Sequence, residues 1–266
     1  MISLSTLNQL AQPSLGENIP LTAIIDTALC VGAGGSSGSQ ADKPILKTAN
    51  GRLVIPASQL KGRLRHECEK LTKALGWPTC ESPVAQTMCP QRAGFNAKDQ
   101  DSNDYEERFH RDHDYKVPGD HRYHCLICQM FGNPTLPSKI QLSDLICTEP
   151  SENIPNVLRP GVTINRRRRT AEEKKLYFLE TSPANAQLSF SGNIILEPGL
   201  RDYAKVLLIA GFKHIHALGG GKSTGLGWLH WESSLFAHSI EQIALDSLQK
   251  PVTSEVSSSE TEGEAA

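Results

Sequence analysis

Strand, helix, strands, helix, strand, with a long irregular insertion after the first helix: this order predicts an α+β fold on the ferredoxin-like βαββαβ plan, which is also the plan of RNA-recognition domains. Three observations carry the prediction. Leu60, Leu64, Cys68, Leu71 and Leu75 form a helical stripe. The stretch Leu21–Val31 is rich in β-branched residues and roughly alternates. Two further strand-like runs, 176–180 and 187–196, precede a second apolar helical run at 200–218. Hydrophobic content is 38%, a little low, as expected where polar loops interrupt a core. The plan by itself licenses no function.

Each element follows from local chemistry. The first strand ends in the flexible run Gly32–Ser39, and Arg52–Pro56 is a short extended piece. Ser58 is expected to cap a helix that runs to about Leu75, where Gly76 supplies the stop. Residues 77–134 are rich in Pro, Asp, His, Arg and Cys, without periodicity. That is too long for an ordinary loop, so something other than an apolar core must hold it. Regularity returns at Ile140, and a final strand is expected over Leu226–Trp231. The domain is read as residues 1–250, followed by a disordered acidic tail at 251–266.

Composition narrows the class of partner. No apolar run is long enough for a membrane span, and Met1–Ser5 lacks a charged leader region, so a cytoplasmic protein is expected. In a reducing compartment, seven cysteines favour metal binding over disulfides. The formal net charge of -2 argues against a nucleic-acid partner. Without the tail and its four glutamates, however, the body holds 27 basic and 25 acidic residues, and the base is clustered at Lys61, Arg63, Arg65 and at Arg166, Arg167, Arg168, Arg169. A near-neutral chain can carry a basic stripe.

The segment Ala217–Trp228 contains five glycines, a lysine and two hydroxyl residues. Glycine lets backbone amides approach a phosphate, so Gly219, Gly220, Gly221, Lys222, Ser223 and Thr224 are candidate polyanion contacts. A nucleotide-binding P-loop is excluded, because it requires glycine where His216 stands and a strand–loop–helix order. The competing reading, a glycine helix cap and a tight turn, accounts for one or two of the glycines.

Cys125 and Cys128 form a CxxC pair, with Cys80 and Cys89 upstream in the same insertion. This spacing suits two corners of a tetrahedral zinc, and a third ligand is expected at Cys89. The fourth is either Cys80 or His121; spacing does not decide. A closed four-ligand site would be structural. Cys30, Cys68 and Cys147 fall in apolar patterns and read as core residues. The run His110–Asp114 reads as a solvated polar loop rather than a hydrolase centre.

Five motifs then stand in a recognisable order: Asp42-Lys-Pro44 after a glycine-rich loop, Ile55-Pro-Ala-Ser-Gln-Leu-Lys-Gly-Arg-Leu-Arg65, Cys125-Leu-Ile-Cys-Gln-Met-Phe-Gly132, Val162–Arg169, and Gly219–Gly227. Over roughly residues 20–232 the chain resembles the RAMP superfamily of CRISPR proteins, and more narrowly the backbone subunit of type III effector complexes. The resemblance implies a palm that polymerises along a guide RNA (crRNA), with a thumb, here about 159–186, that kinks the guide–target duplex. It implies cleavage of target RNA, dependent on Mg2+ or Mn2+, at one aspartate, matched here by Asp42; Asp26 reads as structural. Ser58, Lys61, Arg63, Arg65, the four arginines and the glycine loop would contact RNA. The implied partners are crRNA, target RNA, neighbouring backbone subunits, a large polymerase-like subunit and a small subunit, acting in antiviral defence.

The match is imperfect. Ala57 stands where the family usually has glycine. Some relatives keep the fold and lose the cutting role, so a guide-binding scaffold is the alternative. Guide-processing endonucleases of the superfamily rely on histidine and tyrosine near the N-terminus; here the first histidine is His66 and the first tyrosine Tyr105, which argues against that activity. Taken alone, a solvated helix face also explains Lys61, Arg63 and Arg65, and a turn cap before Pro44 explains Asp42.

Overall fold

The computed structural model describes residues 16–32, 41–77, 79–84, 87–89, 117, 124–200 and 202–236. Most of the 77–134 insertion, with His121 and the 110–114 run, and all of the 251–266 tail lie outside the described residues. The molecule is a mixed α+β structure built mainly on antiparallel pairing.

The central strand β1 (Glu17–Ile25) turns Ile19, Leu21, Ala23 and Ile25 inward and the intervening residues outward, the period-2 pattern of a sheet with one buried face. Five more strands join it: β2 (Val54–Ile55), β3 (Ile140–Leu142), β4 (Leu145–Cys147), β7 (Leu188–Leu196) and β8 (Leu229–Glu232). The order is β2-β4-β7-β1-β8, with β3 also on β7. Every pairing is antiparallel, and β1 lies between β7 and β8.

Helices α1 (Ala57–Ala74) and α3 (Asp202–Lys213) share the core with β1 and β7. Leu60, Leu64 and Cys68 of α1 and Leu208 and Phe212 of α3 are fully buried. Close packing depends on Gly211, where a Cβ would stand 2.6 Å from the Cys68 Sγ. Cys30, Cys68 and Cys147 are buried, and burial pushes the Cys68 thiol up to about 12. A short helix α2 (Leu126–Phe131) follows the CxxC start. A separate two-stranded sheet, β5 (Val157–Asn165) and β6 (Thr170–Thr181), forms a hairpin.

Several boundaries depart from the sequence expectation, because the backbone finds partners outside its own element. The first strand starts at Glu17 and leaves the sheet after Ile25, since residues 26–31 bond to loops instead. The second helix stops at Lys213 rather than Leu218: Ala217 bridges Trp228, and Leu218 and Gly227 are hydrogen-bonded at 2.9 Å. The last strand accordingly begins at Leu229. Ser58 is not the cap of α1. The helix opens at Ala57, and the Ala57 N–H donates to Asp144 Oδ1 at 2.7 Å. The cap comes from another element, and Ser58 sits exposed in the first turn.

Candidate nucleic-acid interface and metal centre

The segment 26–31, buried from Ala28 onward, is a strap on which the candidate RNA-contacting parts converge. On one side the Gly220 N–H donates to the Cys30 carbonyl at 2.6 Å and the Gly227 N–H to the Ala28 carbonyl at 2.9 Å. On the other, the Leu29 N–H donates to Ser182 Oγ at 2.8 Å, the Ser182 N–H to the Leu29 carbonyl at 3.0 Å, and the Leu46 N–H to the Val31 carbonyl at 2.8 Å. The glycine loop, the foot of the β5–β6 hairpin and the chain beyond Asp42 therefore share one support. Buried Glu180 adds to it: Oε2 accepts the Ile45 N–H at 3.2 Å, and Lys47 Nζ lies 3.6 Å from Oε1.

Asp42 is exposed at that foot. Its Oδ2 accepts the Phe178 N–H of β6 at 2.7 Å, while Lys43 pairs with Leu179. One carboxylate oxygen thus pins the loop to the hairpin. Asp26 lies just past β1, with Oδ2 3.2 Å from His230 Nδ1.

The hairpin turn is Arg166–Arg169, and all four arginines are exposed. Asn165 builds it: Oδ1 accepts the Arg167 and Arg168 N–H groups at 3.1 and 3.0 Å, an Asx turn, and its carbonyl accepts the Arg169 N–H at 2.7 Å. The result is a strand pair tipped with four cations that lack a carboxylate partner among the described ion pairs.

In the glycine loop, Gly219 and Gly227 are demanded by packing. Each has positive φ, and a Cβ would overlap the Cys30 and Leu218 carbonyl oxygens respectively. Gly221 and Gly225, also at positive φ, flank the short turn Lys222–Thr224. Structure therefore explains four of the five glycines, more than a helix cap alone. The Thr224 N–H is bonded within the loop, and Lys222 Nζ donates to the Gly219 carbonyl at 3.0 Å. Residues 220–225 are exposed, with Lys222 and Ser223 at their centre.

The basic residues of α1 do not share one face. At 100° per residue, Lys61 and Arg65 lie together and Arg63 lies on the other side. Arg63 pairs with buried Glu67 at 2.8 Å. Lys61 Nζ donates to Ser138 Oγ at 2.8 Å, and burial, then the neighbouring Arg65, lower its pKa. Arg65 bonds Glu69 Oε1 and the Gly132 carbonyl, both at 2.9 Å. All three expected phosphate contacts thus have partners inside the protein.

Cys80, Cys89, Cys125 and Cys128 come together, all buried, with their sulfurs within 4.8 Å of one another. Cys80 Sγ is 3.5 Å from Cys128 Sγ and 3.6 Å from Cys125 Sγ. These separations are too long for disulfides. They approach the roughly 3.8 Å between corners of a zinc tetrahedron with 2.3 Å Zn–S bonds. The Cys125 N–H donates to Cys89 Sγ at 3.3 Å. Hydrogen bonds from Cys125 hold Cys80 and Cys128 below the ordinary thiol range, while bonding to the neighbouring thiols pushes Cys89 and Cys125 above it. The donor set fits a metal such as zinc, with Cys80 beside the other three thiols, while the alternative fourth ligand His121 lies outside the described residues. Among the described residues this is the one group of three or more His, Cys, Asp or Glu side chains close enough to hold an ion, and Asp42 is not in it.

Two participants left no trace in the sequence. Asp144, which caps α1, and Ser182, which ties the strap to the hairpin, are short polar residues whose partners lie 87 and 153 positions away.

With this geometry in place, the comparisons define the class. The family model of the RAMP superfamily matches residues 22–230, and the chain belongs to that superfamily. Membership supports a CRISPR-associated RNA-binding protein in general. No curated protein gives a significant match to the sequence. No helix among the described residues is long and apolar enough to cross a membrane.

Proposed function

We propose that this chain is a crRNA-binding backbone subunit of a type III CRISPR effector complex, acting in the cytoplasm, with a ferredoxin-like palm, and that it cuts complementary target RNA. The observation that carries the reading is the joining of Asp42, through the Phe178 N–H, to a hairpin tipped by four exposed arginines. The strand order, with β1 between β7 and β8 and β4 on β7, supports the reading as a βαββαβ palm. The β5–β6 hairpin is assigned as the thumb.

Arg166, Arg167, Arg168 and Arg169, with Lys222, Ser223 and Thr224, neutralise and position the ribose-phosphate strand without reading sequence. Guide–target pairing supplies specificity. The hairpin and glycine loop, braced on the strap at 26–31, hold one target phosphate beside Asp42. Its neighbouring 2′-hydroxyl, set in line, attacks phosphorus; a 2′,3′-cyclic phosphate forms and the 5′-oxygen leaves. Asp42 assists removal of the 2′-hydroxyl proton. A Mg2+ or Mn2+ ion held by Asp42 would neutralise charge at that phosphate. Zinc at the four cysteines would order the insertion. Neighbouring backbone, large and small subunits complete the assembly.

A second reading is favoured by one specific observation. Asp42 Oδ2 already accepts a backbone N–H, so the residue can serve as a fastener in a non-cutting scaffold. Reconstituted complex with guide RNA, labelled complementary RNA and Mg2+ or Mn2+ separates the two. Cuts at regular spacing should vanish in Asp42→Ala; cuts unchanged in that variant would remove the catalytic assignment, and guide protection with no cut next to this subunit would leave the scaffold.

A further inference from the structure

Arg65 was expected on the RNA face of α1, yet its guanidinium points into the protein. Its side chain is only 20% exposed, and its nitrogens are engaged on three sides. Nε donates to Glu69 Oε1 at 2.9 Å, Nη1 to the Gly132 carbonyl at 2.9 Å, and Nη2 reaches Cys128 Sγ at 3.8 Å. Gly132 and Cys128 are themselves joined, since the Gly132 N–H donates to the Cys128 carbonyl at 2.9 Å. One planar fork therefore clamps a metal-site sulfur and the end of α2 onto α1.

Electrostatics gives the clamp a purpose. Four thiolates around a divalent ion leave a net charge of about −2. Buried charge of that size needs a counter-charge. Charged donors just outside the ligand shell tune such centres, and their loss typically costs about 10–100-fold in metal affinity.

We infer that Arg65 is the counter-charge and positioning residue of the four-cysteine metal centre, and not a phosphate contact. The inference rests on reading those cysteines as a metal site, and it adds to that reading a link between metal loading and the docking of α2 on α1. The connection continues one turn back along α1. Lys61 donates to Ser138 Oγ, which in turn lies 3.2 Å from the Met130 carbonyl of α2. Glu69, four residues on, orients the guanidinium from the far side. Lysine retains the charge but lacks the planar fork that spans sulfur, carbonyl and carboxylate from three nitrogens.

The test uses the full-length protein loaded with zinc. Metal release to a chromogenic chelator is followed for the wild type, R65K and R65Q, alongside the salt dependence of single-stranded RNA binding by each loaded protein. Release should quicken about 10–100-fold in R65Q and by less in R65K, while the slope of log affinity against log salt stays at the wild-type value. If R65Q does not fold, R65K alone decides, through release faster than wild type at an unchanged slope. Wild-type protein that retains no zinc overturns the metal reading and this inference together. Zinc retained at one per chain, with release unchanged by substitution, overturns the Arg65 assignment alone. So does a slope shallower by roughly 0.7, the signature of one single-strand phosphate no longer neutralised.

Discussion

The Asp42 carboxylate accepts the backbone N–H of Phe178 at 2.7 Å, fastening an exposed acid to the foot of the arginine-tipped hairpin. Two roles are superimposed on one side chain, and isosteric substitution separates them. In Asp42→Asn the amide oxygen still accepts from Phe178, so the fold should lose less than about 1 kcal/mol. Target cleavage should fall at least about 100-fold, with guide binding unchanged. Asp42→Ala should lose cleavage and about 1–2 kcal/mol as well, because the Phe178 N–H loses its partner. Thermal melts and cleavage time courses of the two variants measure both. Cleavage at the wild-type rate in Asp42→Asn would leave Asp42 a fastener only.

Metal removal should act locally. The purified chain should carry one zinc, and Cys128→Ser should lose it. Thiolates are the ligands, so acidification should also release the metal by protonating sulfur. Elemental analysis across a pH series is the check. The readout of the fold is protection of α2 backbone amides from exchange, which should fall on chelation while β1 and β7 stay protected. Full protection of α2 after complete chelation would contradict a structural role.

The cap of α1 is supplied from the β3–β4 connection. Asp144→Ala removes the acceptor of the Ala57 N–H and should cost about 0.5–2 kcal/mol, whereas Ser58→Ala, at an exposed non-cap position, should cost much less. Chemical denaturation of the two variants ranks them, and the reverse order would restore Ser58 as the cap.

Alkaline stability should report Cys68. Its folded pKa is raised to about 12 by burial from an ordinary value near 9. Below about pH 9 the thiol is neutral in both states and the advantage is complete. Between about 9 and 12 only the unfolded chain ionises, so stability falls by up to about 1.4 kcal/mol per pH unit for this proton. Cys68→Ala should flatten that limb by one proton relative to wild type, as read from denaturation midpoints against pH; parallel curves would place the thiol in contact with solvent.

What the sequence disclosed and what it withheld divide along the range of the interactions. The stripe of Leu60, Leu64 and Cys68 announced α1, because burial repeats locally every three to four residues. The CxxC pair announced a thiol cluster, and folding was needed to bring Cys80 to it. Helix ends failed where the deciding partner lay outside the helix: Asp144, 87 positions away, for Ala57, and Trp228, across the glycine loop, for Ala217. The glycine loop looked like a phosphate cradle, yet Gly219 and Gly227 are required by close backbone approach to Cys30 and Leu218. The separation of Arg63 from Lys61 and Arg65 was present in the spacing itself, since two residues along a helix is more than half a turn. The inward commitment of Arg65 was not, because it depends on where α2 docks.

The most direct test of an RNA-gripping subunit is the salt dependence of its affinity for single-stranded RNA, measured on the chain or its native assembly. Log affinity should fall linearly with log salt, and replacing Arg166, Arg167, Arg168 and Arg169 by alanine should flatten the slope by up to about 3, roughly 0.7 for each phosphate no longer neutralised, without lowering the melting temperature. Affinity indifferent to salt, or a slope unchanged by removing the four arginines, would contradict an RNA-gripping role.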